Sequence, residues 1–247
     1  MERSSPVLSI AIPVYKDAAG LRAAVPRTVA AAEALEISFE ILLMEDGGDA
    51  ACCSAAQAFA AADARIQAYH SDERRGKGGA ITEAAHLAHG DIFCFFDVDL
   101  STDLKHLKEL VEKIQGGADV VIGSRMMKDS VVIRTENRER SSRAYNLMVR
   151  ALLGSHISDN QCGFKGFRRD ALLQILPYVS ARGWTWDTEV LAFAVRAGFS
   201  VVEIPVVWTQ GERTNVQRSD IFVMARDVVK LAWRIRVCRA GRNISRK

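Results

Sequence analysis

No stretch of this 247-residue chain approaches the roughly 20 consecutive apolar residues that a membrane-spanning helix needs. The apolar run at 7–14 is broken by Pro13 and closed by Lys16 and Asp17, with no small-residue cleavage site, so it is read as a strand rather than a secretory leader. The cysteines are few: five, at positions 52, 53, 94, 162 and 238, without a C-x-x-C pair. That pattern speaks against both a disulfide framework and a zinc site, and fits a reducing cytosol. Charge of one sign is also lacking, since 33 Lys plus Arg against 30 Asp plus Glu leave +3, too weak a bias for a nucleic-acid binder. Without an internal repeat or a Pro/Gly-rich linker, one globular domain is expected over 1–219. Residues 220–247 form a basic amphipathic helix and tail, part of the same domain or in contact with a membrane surface.

What is present is an alternation. Short runs rich in Val, Ile and Phe, at 7–14, 39–45, 65–70, 91–97, 118–123 and 200–208, alternate with stretches of helical period at 18–36, 50–62, 79–89 and 102–115. This pattern builds an α/β fold with a mostly parallel sheet covered by helices. Ser101 or Thr102 is expected to cap the helix at 102–115. From 124 to 138 the period lapses into a polar loop, a length usually reserved for function or mobility, and a helix resumes at 139–153. The tail helix at 220–239 sets Ile221, Val228, Leu231, Trp233 and Ile235 against Arg226, Lys230, Arg234, Arg236 and Arg239. Such a helix can lie on an anionic membrane or pack its apolar stripe on the protein's own core.

Three predicted strand ends carry polar chemistry. Asp97-Val98-Asp99 follows the buried run Ile92-Phe93-Cys94-Phe95-Phe96. In an open α/β sheet the carboxyl ends of the strands face the ligand crevice, and two carboxylates held there repel unless a cation compensates them. Mg²⁺ or Mn²⁺ suits such a pair, because these hard ions bridge carboxylate and phosphate oxygens. Glu45-Asp46-Gly47-Gly48 ends a second strand and Pro13-Val14-Tyr15 the first, adding hydrogen-bond acceptors and an aromatic face. Arg74-Arg75-Gly76-Lys77-Gly78-Gly79 precedes a helix and suits an anion at its amide-rich end. It is not a P-loop, because Ser71 stands where the first glycine belongs and Gly78 where Ser or Thr belongs. The first strand leads into no G-x-G-x-x-G, which disfavours a dinucleotide oxidoreductase.

Seven motifs in order resemble the inverting glycosyltransferases of family 2, which have the GT-A (nucleotide-diphospho-sugar transferase) fold, and among them the dolichyl-phosphate and polyprenyl-phosphate glucosyl- and mannosyltransferases. They are Ile12-Pro13-Val14-Tyr15, Glu45-Asp46-Gly47-Gly48, Arg75-Gly76-Lys77-Gly78, Asp97-Val98-Asp99-Leu100-Ser101, Gly123-Ser124-Arg125, Asp159-Asn160-Gln161-Cys162-Gly163-Phe164-Lys165 and Trp186-Asp187-Thr188-Glu189. The resemblance implies that Pro13, Tyr15, Asp17, Asp46 and Lys77 bind the nucleotide, with Asp97 on ribose or metal and Arg213 closing over the diphosphate. Asp99 would be the principal metal ligand, with Asp97 and Ser101 beside it. Asp159 is similar to the family's catalytic carboxylate, Gln161, Trp186, Asp187 and Glu189 would contact the sugar, and Arg125, Arg138, Arg140 and Arg143 the acceptor phosphate. Lys16-Asp17 replaces the family's usual Asn-Glu, Gly48 its usual Ser, and Gly211-Glu212-Arg213 its Gly-Ser-Lys.

The activity so implied is transfer of a hexose, glucose from UDP-glucose in the first instance, to a polyprenyl or dolichyl phosphate. The enzyme would be cytoplasmic, peripheral at the inner face of the membrane, and would use Mg²⁺ or Mn²⁺. Its partners would be the nucleotide-diphospho-sugar, the lipid phosphate and the membrane surface. No nucleic acid is expected, and there is room for a membrane-protein partner or a second copy. GDP-mannose or another UDP-sugar as donor, a soluble acceptor, and a non-catalytic sugar-nucleotide sensor or membrane scaffold are the alternatives. A processive polysaccharide synthase is disfavoured by the absence of Q-x-x-R-W.

Overall fold

The computed structural model describes residues 6–211, 218–236 and 244. The expected alternation forms: β1 (Leu8–Val14), α1 (Ala18–Glu33), β2 (Phe39–Asp46), α2 (Ala50–Ala62), β3 (Ile66–Ser71), α3 (Lys77–Leu87), β4 (Ile92–Phe96), α4 (His106–Gln115) and β5 (Val120–Ser124). Then come a short strand β6 (Val131–Ile133), α5 (Glu136–Leu153), β7 (Phe164–Arg168) and α6 (Arg169–Ile175), which runs into a single 3-10 turn at Leu176–Tyr178. α7 (Trp186–Arg196), β8 (Val201–Pro205), β9 (Val207–Thr209) and α8 (Arg218–Arg236) complete the order.

Seven strands make one sheet in the order β3-β2-β1-β4-β7-β5-β8. β7 runs antiparallel to both neighbours, β4 and β5, and the other pairings are parallel. The strands β1, β2, β4 and β5 are buried on both faces, which is why they read as unbroken apolar runs rather than alternating ones. One core layer, with Ile10, Ile12, Leu43, Phe96 and Phe164, lies under α1, α2 and α4. The other, with Phe93, Phe95, Phe167, Trp186 and Phe193, lies under α3, α6 and α7. Each of these rings contributes on the order of 2–3 kcal/mol by leaving water, and the pairs Phe95–Phe167 and Phe96–Phe164 stack with centroids 6.3 and 6.1 Å apart.

Several boundaries differ from the sequence reading. The run at 200–208 is two strands: the chain leaves the main sheet after β8, and β9 pairs in parallel with β6 in a second, two-stranded sheet. Neither Ser101 nor Thr102 caps α4, because Thr102 is bridged to Trp208 and the helix starts at His106, preceded by a turn in which Asp103 accepts the Lys105 amide at 3.0 Å. The helix expected at 139–153 begins three residues earlier, at Glu136. The tail helix packs on the protein: Met224, Val228 and Leu231 are buried, and Tyr145 and Val149 of α5 meet the first two. Phe222, Val223, Val229 and Trp233 stay exposed on the same helix.

Candidate active site

β4 ends in a tight acidic turn. The Leu100 amide donates to Asp97 O at 2.9 Å, and buried Leu100 takes φ +47°, a left-handed conformation unusual for a branched side chain. Strain of this kind, of order 1–3 kcal/mol, collects where a site needs a particular geometry. It brings Asp97 and exposed Asp99 out at the sheet edge. One Asp97 oxygen accepts Lys77 Nζ at 2.7 Å, and the same ammonium lies 3.9 Å from Asp187. Asp187 in turn receives Lys165 Nζ at 2.7 Å, and that ammonium also donates to Cys162 O at 2.5 Å. Fully buried Lys165 is tolerable only because both partners are in place. Burial, aided by the neighbouring Asp99 and Asp187 charges, pushes the Asp97 carboxyl above its usual range despite Lys77. Against the opposing effect of burial, Asp97 and Asp187 hold Lys77 firmly protonated.

At the end of β1, the Tyr15 ring lies beneath the Arg74 guanidinium at 4.1 Å. Asp17 caps α1, accepting the Gly20 amide at 2.9 Å, and Pro13 sits within β1. The buried Asp46 carboxylate accepts the amides of Arg75 and Gly76 at 2.6 and 2.8 Å, so it shapes the loop that leads into α3. That loop needs glycine at 76, where φ is +79° and a Cβ would stand 2.6 Å from Arg182 O. Lys77 is thereby set at the first turn of α3, where the exposed amides and the helix dipole favour an anion.

A second charged pair lies beyond β7 and β5. Asp159, fully buried, accepts Arg125 N at 3.0 Å, Nε at 2.7 Å and Nη2 at 2.8 Å, and also the Gln161 amide at 3.2 Å. Against the burial that opposes ionisation, these contacts lower the Asp159 pKa to about 2. The loop carrying it is fastened from two sides. Glu203 of β8 accepts the Ser158 and Asp159 amides, and Asn146 of α5 accepts both the Asn160 amide and its side-chain nitrogen. Gln161 is half-buried, its side-chain nitrogen 3.9 Å from Met224 Sδ.

Other residues singled out from the sequence lie elsewhere. Trp186 is a core residue: it has no exposed surface, meets Phe95 edge-on and donates its indole N–H to Thr82 Oγ1 at 2.9 Å. Buried Glu189 accepts the Ser180 and Ala181 amides and the Arg234 guanidinium, tying the loop before α7 to α8. Trp186 and Glu189 are thus held by core and loop contacts, whereas Asp187 faces the lysines. Arg140 and Arg143 are exposed on α5 and paired one turn back with Glu136 and Glu139. The Arg138 side chain and Arg213 lie outside the described residues.

The family model described as glycosyl transferase family 2 matches residues 9–176, more than half of the chain. The chain belongs to that family. Glycosyltransferase AglD of Haloferax volcanii is 42% identical to it over 234 residues, which cover 93% of this chain and 38% of AglD. A dolichyl-phosphate beta-glucosyltransferase of Saccharomyces cerevisiae is 31% identical over 172 residues, 64% of this chain and 52% of that protein. The chain thus spans only part of the length of these relatives. A solved structure of glucosyl-3-phosphoglycerate synthase from Mycobacterium tuberculosis, with Mn²⁺, UDP and glucosyl-3-phosphoglycerate, aligns with TM-score 0.67 at 16% identity, over 96% of this chain and 80% of that one. That likeness is one of fold, the GT-A arrangement.

In this family 2 glycosyltransferase the acidic turn fits a divalent ion. A Cβ on Gly163 would stand 1.9 Å from Asp97 Oδ2, and one on Gly211 2.8 Å from Asp99 Oδ2, so both free carboxylate oxygens open onto space that only glycine leaves. Here the three acidic groups Asp97, Asp99 and Asp187 outnumber the two ammonium groups of Lys77 and Lys165, an imbalance a cation would correct. Among the described residues no group of three or more His, Cys, Asp or Glu is placed to hold a metal. Two carboxylates suffice for Mg²⁺ or Mn²⁺ when diphosphate oxygens and water complete the shell. Ser101 contributes its amide to Asp99 at 3.0 Å, which orients that carboxylate.

Two residues that sequence reasoning passed over belong to this crevice, and Lys165, named there only within the motif that begins at Asp159, is the buried cation behind Asp187. Trp184 is half-buried with its ring 5.7 Å from Lys77 Nζ, so of the two tryptophans in Trp184-Thr185-Trp186 it is the one that meets the lysine. Arg134, between β6 and α5, has a buried Nε with no hydrogen-bond partner among the described residues. Only Trp184 offered a signal, its closeness in sequence to Asp187.

Proposed function

We propose that this glycosyltransferase moves a hexose, glucose from UDP-glucose, onto the phosphate of a polyprenyl or dolichyl lipid, with inversion at the anomeric carbon. The observation that carries this reading is the state of Asp159. A carboxylate with a pKa near 2 and four N–H donors around it is a poor general base at neutral pH, because an efficient base needs a pKa near the working pH. A hydroxyl acceptor would require such a base, whereas a phosphate monoester is already anionic.

In the proposed reaction an acceptor phosphate oxygen attacks the anomeric carbon in line, and the bond from that carbon to the diphosphate oxygen breaks. UDP leaves with the electron pair, and no proton has to move. Tyr15 beneath Arg74 offers an aromatic face to the base, while Lys77 at the α3 N-terminus faces the diphosphate. Asp97 and Asp99 would hold Mg²⁺ or Mn²⁺, which when bound neutralises charge developing on the leaving diphosphate. Asp187, aimed at Lys77 and Lys165, is the sugar-facing carboxylate of this reading, with Gln161 and Trp184 beside the same crevice. Asp159 keeps the Arg125 guanidinium in one orientation, so that the acceptor meets a fixed positive field.

A lipid acceptor also accords with α8, where exposed Phe222, Val229 and Trp233 stand beside Lys230 and Arg236. No helix among the described residues is long and apolar enough to cross a membrane. We place the enzyme peripherally at the cytoplasmic face, where nucleotide-sugars are made. Incubation with labelled UDP-glucose, polyprenyl phosphate and Mn²⁺ is expected to give chloroform-soluble label. Label entering lipid only from GDP-mannose would overturn the choice of glucose, and label entering only water-soluble acceptors would overturn the lipid.

A further inference from the structure

The cations at the acceptor side of the crevice are not equally available. Arg125 spends its Nε, its Nη2 and its backbone amide on Asp159. Arg140 and Arg143 are exposed and neutralised within their own helix. Arg134 differs from all three: it is half-buried, its Nε is shut off from solvent without a partner, and its side chain makes no hydrogen bond or ion pair among the described residues. An unsatisfied buried donor is costly, more so when it is charged.

Arg134 is nevertheless held in place. Its flanking backbone is fastened by Gln210, whose amide donates to Ile133 O at 2.9 Å and whose side-chain oxygen accepts the Thr135 amide at 3.3 Å. Its protonated form is disfavoured first by burial and then by the charge of Arg125, with Arg143 adding to that and Glu139 and Asp159 opposing it. A guanidinium whose buried Nε meets no partner among the described residues, within the field of an arginine already engaged by a carboxylate, describes a place that lacks an anion.

We infer that Arg134 is the residue that binds the phosphate of the acceptor, through the guanidinium whose Nε has no partner among the described residues. The inference rests on the proposed transfer to a phosphate and names the side chain that selects it. A planar guanidinium suits a phosphate because it can donate two parallel hydrogen bonds. The same strap supplies a reason for the phosphate to be carried by a lipid. Val131 and Ile133 of β6, immediately before Arg134, expose 55% and 61% of their surface, so an apolar chain leaving the phosphate has an apolar surface to follow.

The test is direct binding, with farnesyl phosphate as the soluble probe and farnesol and inorganic phosphate as controls, measured by calorimetry on the full chain in the presence of UDP and Mn²⁺. Arg134→Gln is expected to weaken farnesyl phosphate on the order of ten- to a hundredfold, as loss of a charged hydrogen-bond pair does. Arg134→Lys should recover part of that loss, and the Kd for UDP should not change. Equal farnesyl phosphate affinity in wild type and Arg134→Gln would overturn the inference, as would an equal loss of UDP binding. Inorganic phosphate bound as tightly as farnesyl phosphate, and lost in the variant, would keep the phosphate role and assign it to a free anion. The binding result does not depend on turnover. A wild type that binds farnesyl phosphate through Arg134 but never glucosylates a lipid phosphate would sink the transfer reaction and leave the binding role standing.

Discussion

Two carboxylate–cation pairs flank the crevice, and they behave in opposite ways. Asp97 touches one ammonium, and burial, helped by the like charges of Asp99 and Asp187, resists its ionisation. Asp159 is fully buried, yet four N–H donors converge on it and its pKa falls to about 2. Burial by itself would raise both. What separates them is the number of donors preorganised around each carboxylate, and under the proposed function this divides their work: the first corner would hold a metal, and the second would act as a closed strut that aims a guanidinium.

The most severe way to break this contrast is Arg125→Ala. It strands a buried carboxylate, and about 3–5 kcal/mol of stability should go with it, measured by urea unfolding. A loss below about 1 kcal/mol would mean that Asp159 is not held as described. Asp99→Ala should do the reverse. This exposed side chain contributes little to folding, so the unfolding midpoint stays put while kcat falls about a hundred- to a thousandfold and Mn²⁺ binding measured with UDP weakens. Unaltered kcat would remove the metal from the acidic turn.

Acid titration sharpens the same contrast on a smaller scale. A carboxylate whose pKa is lower in the folded than in the unfolded chain adds stability above its unfolded pKa, near 3.8, and that stability is lost as pH falls through about 2. Asp159 should therefore contribute on the order of 2 kcal/mol at neutral pH that fades between about pH 4 and pH 2, and Asp159→Asn should flatten that limb of the unfolding curve. The smallest effect is expected at Asp97→Asn. Removing one charge from a crowded acidic corner should leave the thermal midpoint unchanged or slightly higher, although activity is lost. A large drop would show that the Asp97–Lys77 pair stabilises the fold as the Asp159–Arg125 pair does.

Much of this fold was legible in the amino-acid order. Strands buried on both faces must be apolar throughout, so β1, β2, β4 and β5 announced themselves, and the acidic groups that follow β4 and end β2 were correctly set at one sheet edge. β7 was not legible. Gly163-Phe164-Lys165-Gly166-Phe167-Arg168 lacks an unbroken apolar run, because a lysine stands at its centre, and its burial as a central strand needs both Cys162 O and the carboxylate of Asp187, 22 residues away. Trp184 and Trp186 pose the same difficulty. They are two residues apart and chemically identical, and only the placement of Thr82 and Phe95 decides which is core and which meets Lys77.

The sequence by itself determined the α/β alternation, the family, and which side chains gather at the strand ends, because hydrophobic period and motif order are local properties of the chain. Tertiary structure alone decided how the charges are paired: Arg125 consumed by Asp159, Arg140 and Arg143 turned to solvent, Arg134 left with an unused donor. An arginine's role depends on which carboxylate reaches it and how much water remains, and both are set by contacts between residues far apart in the chain.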